Sequence, residues 1–213
     1  MKLHDVSILI SEDMPIWPND PVISMELTNS ISLGDSANVT RLNMGVHTGT
    51  HIDAPFHFEP NGATIDKLPL EVLIGPCRVF EIPESNEAID LVDLEKLNFD
   101  HHIRVLFKTR NSNWWKNGET MFHKDFVYMH QEAARFLIDR GIKLVGIDYL
   151  SIEKFESPDH ATHHLLLQNE VVIIEGLNLS GISSGDYELM ALPPKLKGAD
   201  GAPARVVLRE QEK

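Results

Sequence analysis

Between Val46 and Phe58 the chain reads V-H-T-G-T-H-I-D-A-P-F-H-F, and no other stretch limits its folding as tightly. Three of the eleven histidines fall here, His47, His51 and His57, together with Asp53. Each gap between these four positions is an even number of residues. Side chains alternate faces along an extended strand, so this parity aims all four at one point. A helix would keep His47 beside His51 but turn Asp53 about 240° away from His47, at about 100° per residue. Gly49, the β-branched Thr48, Thr50 and Ile52, and Pro55 also oppose a helix. The expectation is a strand that runs into a rigid loop.

Two neutral imidazoles and a carboxylate suit Zn²⁺, Mn²⁺ or Fe²⁺. Three protein ligands leave coordination positions open, which is the pattern of a catalytic rather than a closed structural site. His57, four residues past Asp53, is either a further ligand or a general acid/base beside the metal. A second group stands far along the chain, at His160, His163 and His164, with Glu175 at the end of the next apolar run. Helical spacing puts the three histidines on one face, and this chemistry alone does not separate His160 from His163. No phosphate-binding glycine loop, dinucleotide fingerprint or serine-nucleophile turn competes with these clusters.

The remaining composition narrows the class. A length of 213 residues suits one domain, residues 1–213, with a sizeable core. The net charge of -13 opposes a nucleic-acid partner, since phosphate binding needs a basic field. Cys77 is the sole cysteine, so an intramolecular disulfide and a cysteine-rich zinc site are excluded. The start of the chain lacks the pattern of a secretion signal, and no apolar run reaches the roughly 20 residues of a membrane span. The expected setting is the cytoplasm.

Apolar patterning predicts strands at Val6–Ile10, Val22–Leu27, Val39–Val46, Arg78–Ile82, Val105–Thr109, Lys143–Asp148, Val171–Glu175, Tyr187–Leu192 and Arg205–Arg209. Helices are expected at Ile89–Leu97, at Met129–Arg140, and from Ser157-Pro158 to Gln168. Trp17 stands between Pro15 and Pro18 in a proline-rich loop, and is either a plug at the core edge or an aromatic pocket wall. Asn111–Gly118, with Trp114 and Trp115, is expected as a polar aromatic loop, a lid or a surface turn.

The run H-T-G-T-H-I-D-A-P-F-H-F resembles the hallmark of the cyclase-family metal-dependent hydrolases, and within them the bacterial kynurenine formamidases (arylformamidases). W-P-N-D at Trp17–Asp20, H-H at His163–His164 with I-I-E-G-L at Ile173–Leu177, and G-D-Y-E-L-M-A-L-P at Gly185–Pro193 fit the same family in order. Asn19 departs from the glycine common there, and Asp100–Lys124 matches nothing diagnostic. The resemblance implies an α/β fold, a single compact domain with a mixed, barrel-like β-sheet flanked by a few helices. It implies two Zn²⁺ per chain, with Mn²⁺ as an alternative, held by His47, His51, Asp53, His163 and Glu175, with Asp53 bridging. The family's twelve-residue spacing between histidine and glutamate selects His163 over His160. It further implies that His57 carries the proton, that Trp17 lines the substrate pocket, and that the protein is a homodimer or homotetramer. The activity implied is hydrolysis of a small amide, N-formyl-L-kynurenine first, to L-kynurenine and formate in tryptophan breakdown. The alternatives are a hydrolase of another small or cyclic amide such as isatin, and a non-catalytic protein stabilised by metal.

Overall fold

The computed structural model describes residues 1–211. Its main sheet is mixed, and its parallel centre consists of β5 (Ile74–Glu81), β7 (Arg104–Lys108), β9 (Leu144–Ile147) and β10 (Val172–Glu175). Three antiparallel strands extend one side: β11 (Gly185–Leu192), β13 (Arg205–Glu210) and β1 (Leu3–Asp5). On the other side β4 (His51–Asp53) pairs with β10, and β12 (Gly201–Pro203) pairs with β4. The nine strands curl into a half-barrel flanked by a few helices, as the barrel-like α/β expectation requires. The one-turn α1 (Leu70–Leu73) leads into β5, and β6 (Ala88–Ile89) pairs in parallel with β8 (Tyr128–Met129) outside the main sheet.

The central strands read as continuous apolar runs because both faces are covered. Period-two alternation sorts their side chains. Val105 and Phe107 of β7 enter one core layer, while Leu106 enters the other. The first layer is closed by α4 (Gln131–Asp139) and α5 (Ala161–Gln168), through Ala133, Ala134, Leu137, Leu165 and Leu166. Gly141 ends the α4 region in a left-handed conformation, as expected from its place after the apolar stripe. The short α2 (Leu91–Leu94) lies inside the Ile89–Leu97 expectation, and Asp90 supplies its capping box.

Several boundaries differ from expectation, each for a local reason. Val6–Ile10 is not a strand of its own: β1 ends at Asp5, and beyond it Ile8 N–H donates to the Thr50 hydroxyl, a side chain rather than a strand. The helix expected from Ser157 begins at Ala161, because His160 takes a left-handed backbone (φ 47°) that cannot belong to it. Asn111–Gly118 is a short helix, α3 (Ser112–Asn117), rather than a loop. Its Ser112 hydroxyl donates to the buried Asp148 carboxylate at 2.7 Å, and Trp115 Nε1 donates to the Asp148 carbonyl at 2.8 Å. These bonds fasten α3 to the end of β9.

One part stands outside both layers. β2 (Ser24–Asn29) and β3 (Val39–Asn43) form a separate hairpin, and every one of its strand residues is exposed. Among the described residues no helix is long and apolar enough to cross a membrane.

Candidate metal centre

The stretch Val46–Phe58 is a loop to Thr50, then β4, then a single 3-10 turn at Pro55–His57. Alternation therefore accounts for only two of its four polar residues. His51 and Asp53 share a face of β4, while Ile52 points to the opposite side, into the core. His47 arrives from the preceding loop. His57 arrives on the turn that Pro55 starts, a position where proline's missing N–H and fixed φ cost nothing.

Long-range pairing brings the second half of the site into place. Glu175 lies directly across the β10–β4 ladder from His51. His163, on α5, directs Nε2 to Glu175 Oε1 at 3.2 Å, and the same nitrogen is 3.8 Å from Asp53 Oδ2. His51 Nε2 is 3.4 Å from both Asp53 Oδ1 and Glu175 Oε2. His47 Nδ1 hydrogen-bonds Asp53 Oδ1 at 2.8 Å. Backbone fit at this junction is close: a Cβ on Gly176 (φ 67°) would stand 2.3 Å from the Gly49 carbonyl oxygen, so only glycine allows the loop to lie against the end of β10.

The neighbours that fix these side chains are not legible in the sequence. Glu153 accepts from the His163 backbone N–H at 3.0 Å and faces its Nδ1 at 3.2 Å, which leaves Nε2 toward the carboxylates. The Gly49 carbonyl accepts from His51 Nδ1 at 2.9 Å with the same effect. Asp200, just before β12, accepts from His47 Nε2 at 2.8 Å and lies 3.3 Å from His57 Nδ1. Those two rings are stacked, with centroids 3.9 Å apart. Glu153 and Asp200 carry no local motif; only the folded topology brings them here.

The five expected ligands converge, and so does His57. Two triads of ligand atoms, each mutually within 4.8 Å, share Asp53: His47–Asp53–His57 and His51–Asp53–Glu175. Of the other α5-region histidines, His160 stands at the cavity rim and His164 points away to Glu59 at 2.8 Å. Asp53 Oδ2 is a fully buried oxygen without a hydrogen-bond donor among the described residues. Such an oxygen among imidazoles fits a divalent cation, because burial without a partner costs free energy that a cation offsets.

Charge within the site is strongly coupled. Burial disfavours the imidazolium of His51, but Asp53 and Glu175 outweigh it and push its pKa up to about 10. Burial also opposes the His163 cation, and hydrogen bonds to Glu153 and Glu175 raise it to about 10. Burial would raise Asp53, yet His47 and His51 hold it well below the usual carboxylate range. His57 is lowered, first by burial and then by the cations around it, with Asp53 in opposition. The carboxylates thus favour the protonated forms of His47, His51 and His163, while burial favours the neutral form of His57.

Metal coordination needs neutral imidazoles, so binding must displace protons. Apparent metal affinity is expected to rise by about tenfold per pH unit for each proton displaced, and to level off above about pH 10. The sign for stability runs the opposite way. In the metal-free protein these ion pairs contribute fully below the unfolded histidine pKa of about 6.5, and their contribution disappears as pH rises toward 10. Calorimetric titration in buffers of different ionisation enthalpy, with melts in chelator, measures both trends.

A cavity of about 250 Å³ opens over the cluster. Trp17, Asp20, Phe58, Leu150 and Lys154 line it together with the site residues. Trp17 is in the cavity lining, and its ring packs on Phe122 (5.2 Å) and Phe155 (5.4 Å). Phe58 stacks on His163 at 4.6 Å. Neither Trp114 nor Trp115 lines the cavity; both pack on Tyr149. Asp100–Lys124 touches the pocket indirectly, through Phe122 behind Trp17.

A fold of this kind is shared with known proteins. The family model described as a putative cyclase matches residues 4–154. The kynurenine formamidase of Bacillus thuringiensis subsp. konkukian (strain 97-27) is 36% identical, over 96% of this chain and 96% of its own. A solved structure titled as a potential metal-dependent hydrolase with cyclase activity is 41% identical, with a TM-score of 0.85, covering 100% of this chain and 99% of that one. An isatin hydrolase bound to the product analogue thioisatinate shares the fold, at 19% identity and a TM-score of 0.83 over 99% of this chain and 93% of that one. The chain belongs to the cyclase family.

Proposed function

We propose that this protein is a metal-dependent amidohydrolase that converts N-formyl-L-kynurenine to L-kynurenine and formate. The observation that carries the reading is the placement of His57 beside a buried histidine–carboxylate cluster, in the lining of a cavity that Trp17 and Phe58 also line. The likeness to kynurenine formamidases along 96% of the chain supports the aryl-formamide substrate.

His47, His51, Asp53, His163 and Glu175 are the residues that would hold metal, two Zn²⁺ per chain or Mn²⁺ in their place, with Asp53 shared between the triads. When bound, the metal supplies Lewis-acid polarisation of the formyl carbonyl and a water nucleophile at neutral pH. In the reaction, water adds to the formyl carbon, the C–N bond breaks, and the departing nitrogen takes a proton. His57 moves that proton, and Asp200 holds its ring against His47 in reach of the cluster. Trp17 and Phe58 give the aryl ring apolar faces and keep bulk water from the site.

The proposed setting is the cytoplasm, in keeping with a single, fully buried cysteine. The proposed assembly is a homodimer or homotetramer. The exposed hairpin supports it: Met25 lies opposite Leu42 on one face with Leu27 beside them, and an isolated two-stranded hairpin is marginal in water. Light scattering is expected to give a mass of at least two chains, and a monomer would remove the hairpin from this role.

The substrate is tested with purified, metal-loaded protein on N-formyl-L-kynurenine and on isatin. Preferential release of formate and kynurenine is expected. Preferential opening of isatin would transfer the assignment to cyclic amides, and turnover of neither would sink the amidohydrolase reading for these substrates.

A further inference from the structure

One carboxylate in the cavity lining has no part in the proposed mechanism and no histidine hydrogen-bonded to it. Asp20 lines the cavity on the same segment as Trp17, three residues further along. It is half-buried and lies within electrostatic reach of His47, His51 and His57. Glu153 and Glu175, the other carboxylates in the lining, are engaged with His163. Asp20 differs: among the described residues no side chain or backbone group donates a hydrogen bond to its carboxylate.

The backbone is shaped to put it there. Asp20 N–H closes a turn onto the Trp17 carbonyl at 3.1 Å. Asn19, inside that turn, adopts φ 75°, a left-handed conformation that costs a residue other than glycine free energy. The turn thus couples the aromatic wall to an acceptor that is free in the cavity where His57 lies.

Amide hydrolysis needs such an acceptor. A secondary formamide carries one N–H, and its nitrogen lone pair is delocalised into the carbonyl. As water adds to the formyl carbon, that lone pair localises, and it must face the proton carrier. An acceptor on the N–H fixes the rotation of the nitrogen about the C–N axis, so that the emerging lone pair is directed at a donor on another side. His57 and Asp20 are both within the same cavity and provide such a pair.

Building on the amidohydrolase reading, we propose that Asp20 is a catalytic residue that accepts a hydrogen bond from the N–H of the scissile amide and orients its nitrogen toward His57. No bond to Asp20 forms or breaks. The C–N bond cleaves, the formyl group leaves as formate with the oxygen of water, and the amine carries away the proton delivered by His57. The specificity that follows is for amides bearing an N–H.

The test compares two substrates that differ only at the atom Asp20 would contact: N-(2-acetylphenyl)formamide and its ester counterpart, 2-acetylphenyl formate. Wild type, Asp20→Ala and Asp20→Asn are assayed with metal content measured for each. Asp20→Ala is expected to lower kcat/KM on the formamide by about 10- to 100-fold, the range for a hydrogen bond to a charged group. On the ester, which has no N–H, the loss should stay within about threefold. Asp20→Asn keeps a carbonyl acceptor and should recover part of the formamide activity. Equal losses on both substrates, no loss on either, or depleted metal in both variants would overturn the assignment. Wild type inactive on the formamide would instead bring down the amidohydrolase reading beneath it, so the two failures are distinguishable.

Discussion

Replacing His57 with alanine should leave metal content and fold intact and reduce turnover of N-formyl-L-kynurenine by roughly 10²- to 10⁴-fold, the range for a lost general acid/base. The side chain lies on a one-turn element, with Asp200 at 3.3 Å and its ring stacked on His47. His57 is also partly accessible, unlike His51 and Asp53, so its removal opens no cavity in the core. Elemental analysis and circular dichroism check the first half of the prediction, and steady-state kinetics the second. The result discriminates between two placements of this ring. Its ligand atom falls in one of the triads with His47 and Asp53, and a ligand role predicts metal loss along with activity. Retained metal with lost activity assigns the proton to His57. Unchanged turnover would remove it from the mechanism and favour a protein that only binds metal.

Asp53→Ala should have the opposite signature, with metal lost first and activity as a consequence. Asp53 is completely buried and, among the described residues, is the side chain common to both triads. Loss of Lewis-acid stabilisation worth about 4 kcal/mol lowers the rate by about 10³-fold. The metal-free form should change as well. Without Asp53, the pKa of His51 loses a large part of what raises it, and its imidazolium is left buried with Glu175 as its remaining hydrogen-bonded anion. Removing one partner of a buried pair typically destabilises by about 3–5 kcal/mol. Asp53→Asn separates the contributions, since it keeps the volume and one acceptor but removes the charge. Metal content per chain, read beside activity for both variants, decides the matter. Two metals per chain retained in Asp53→Ala would exclude the bridging role.

The contrast between these two variants also shows which parts of the site a linear reading can reach. The motif around His51 is legible because a strand imposes period two, and His51 and Asp53 do share a face. His47 and His57 satisfy the same parity for another reason. A glycine-containing loop delivers one and a proline-started turn the other, and neither is extended at that point. The second cluster is legible as chemistry but not as geometry. His160, His163 and His164 look equivalent until β10 pairs with β4 and sets Glu175 opposite His51. Only then does α5 present His163 inward and His164 to Glu59. Local propensity fails where the fold outcompetes it. Ser157-Pro158 has the composition of a helix start, but the chain reaches α5 only after His160 has turned through a left-handed conformation. The polar segment at Asn111 is helical because Asp148, buried beyond the end of β9, accepts from the Ser112 N–H at 3.1 Å and its hydroxyl at 2.7 Å. Glu153 and Asp200 are invisible for the same reason, being single acids whose meaning depends on what the fold places beside them.

The central proposal is that one buried cluster holds a divalent metal and cleaves an amide with it. The most direct measurement strips the protein with chelator, returns Zn²⁺ or Mn²⁺ in steps, and follows bound metal and formate release from N-formyl-L-kynurenine in the same samples. Formate release is expected to vanish in the stripped protein and to return in proportion to the metal bound, up to two ions per chain. Formate release that continues undiminished in the fully stripped protein would contradict a metal-dependent amidohydrolase.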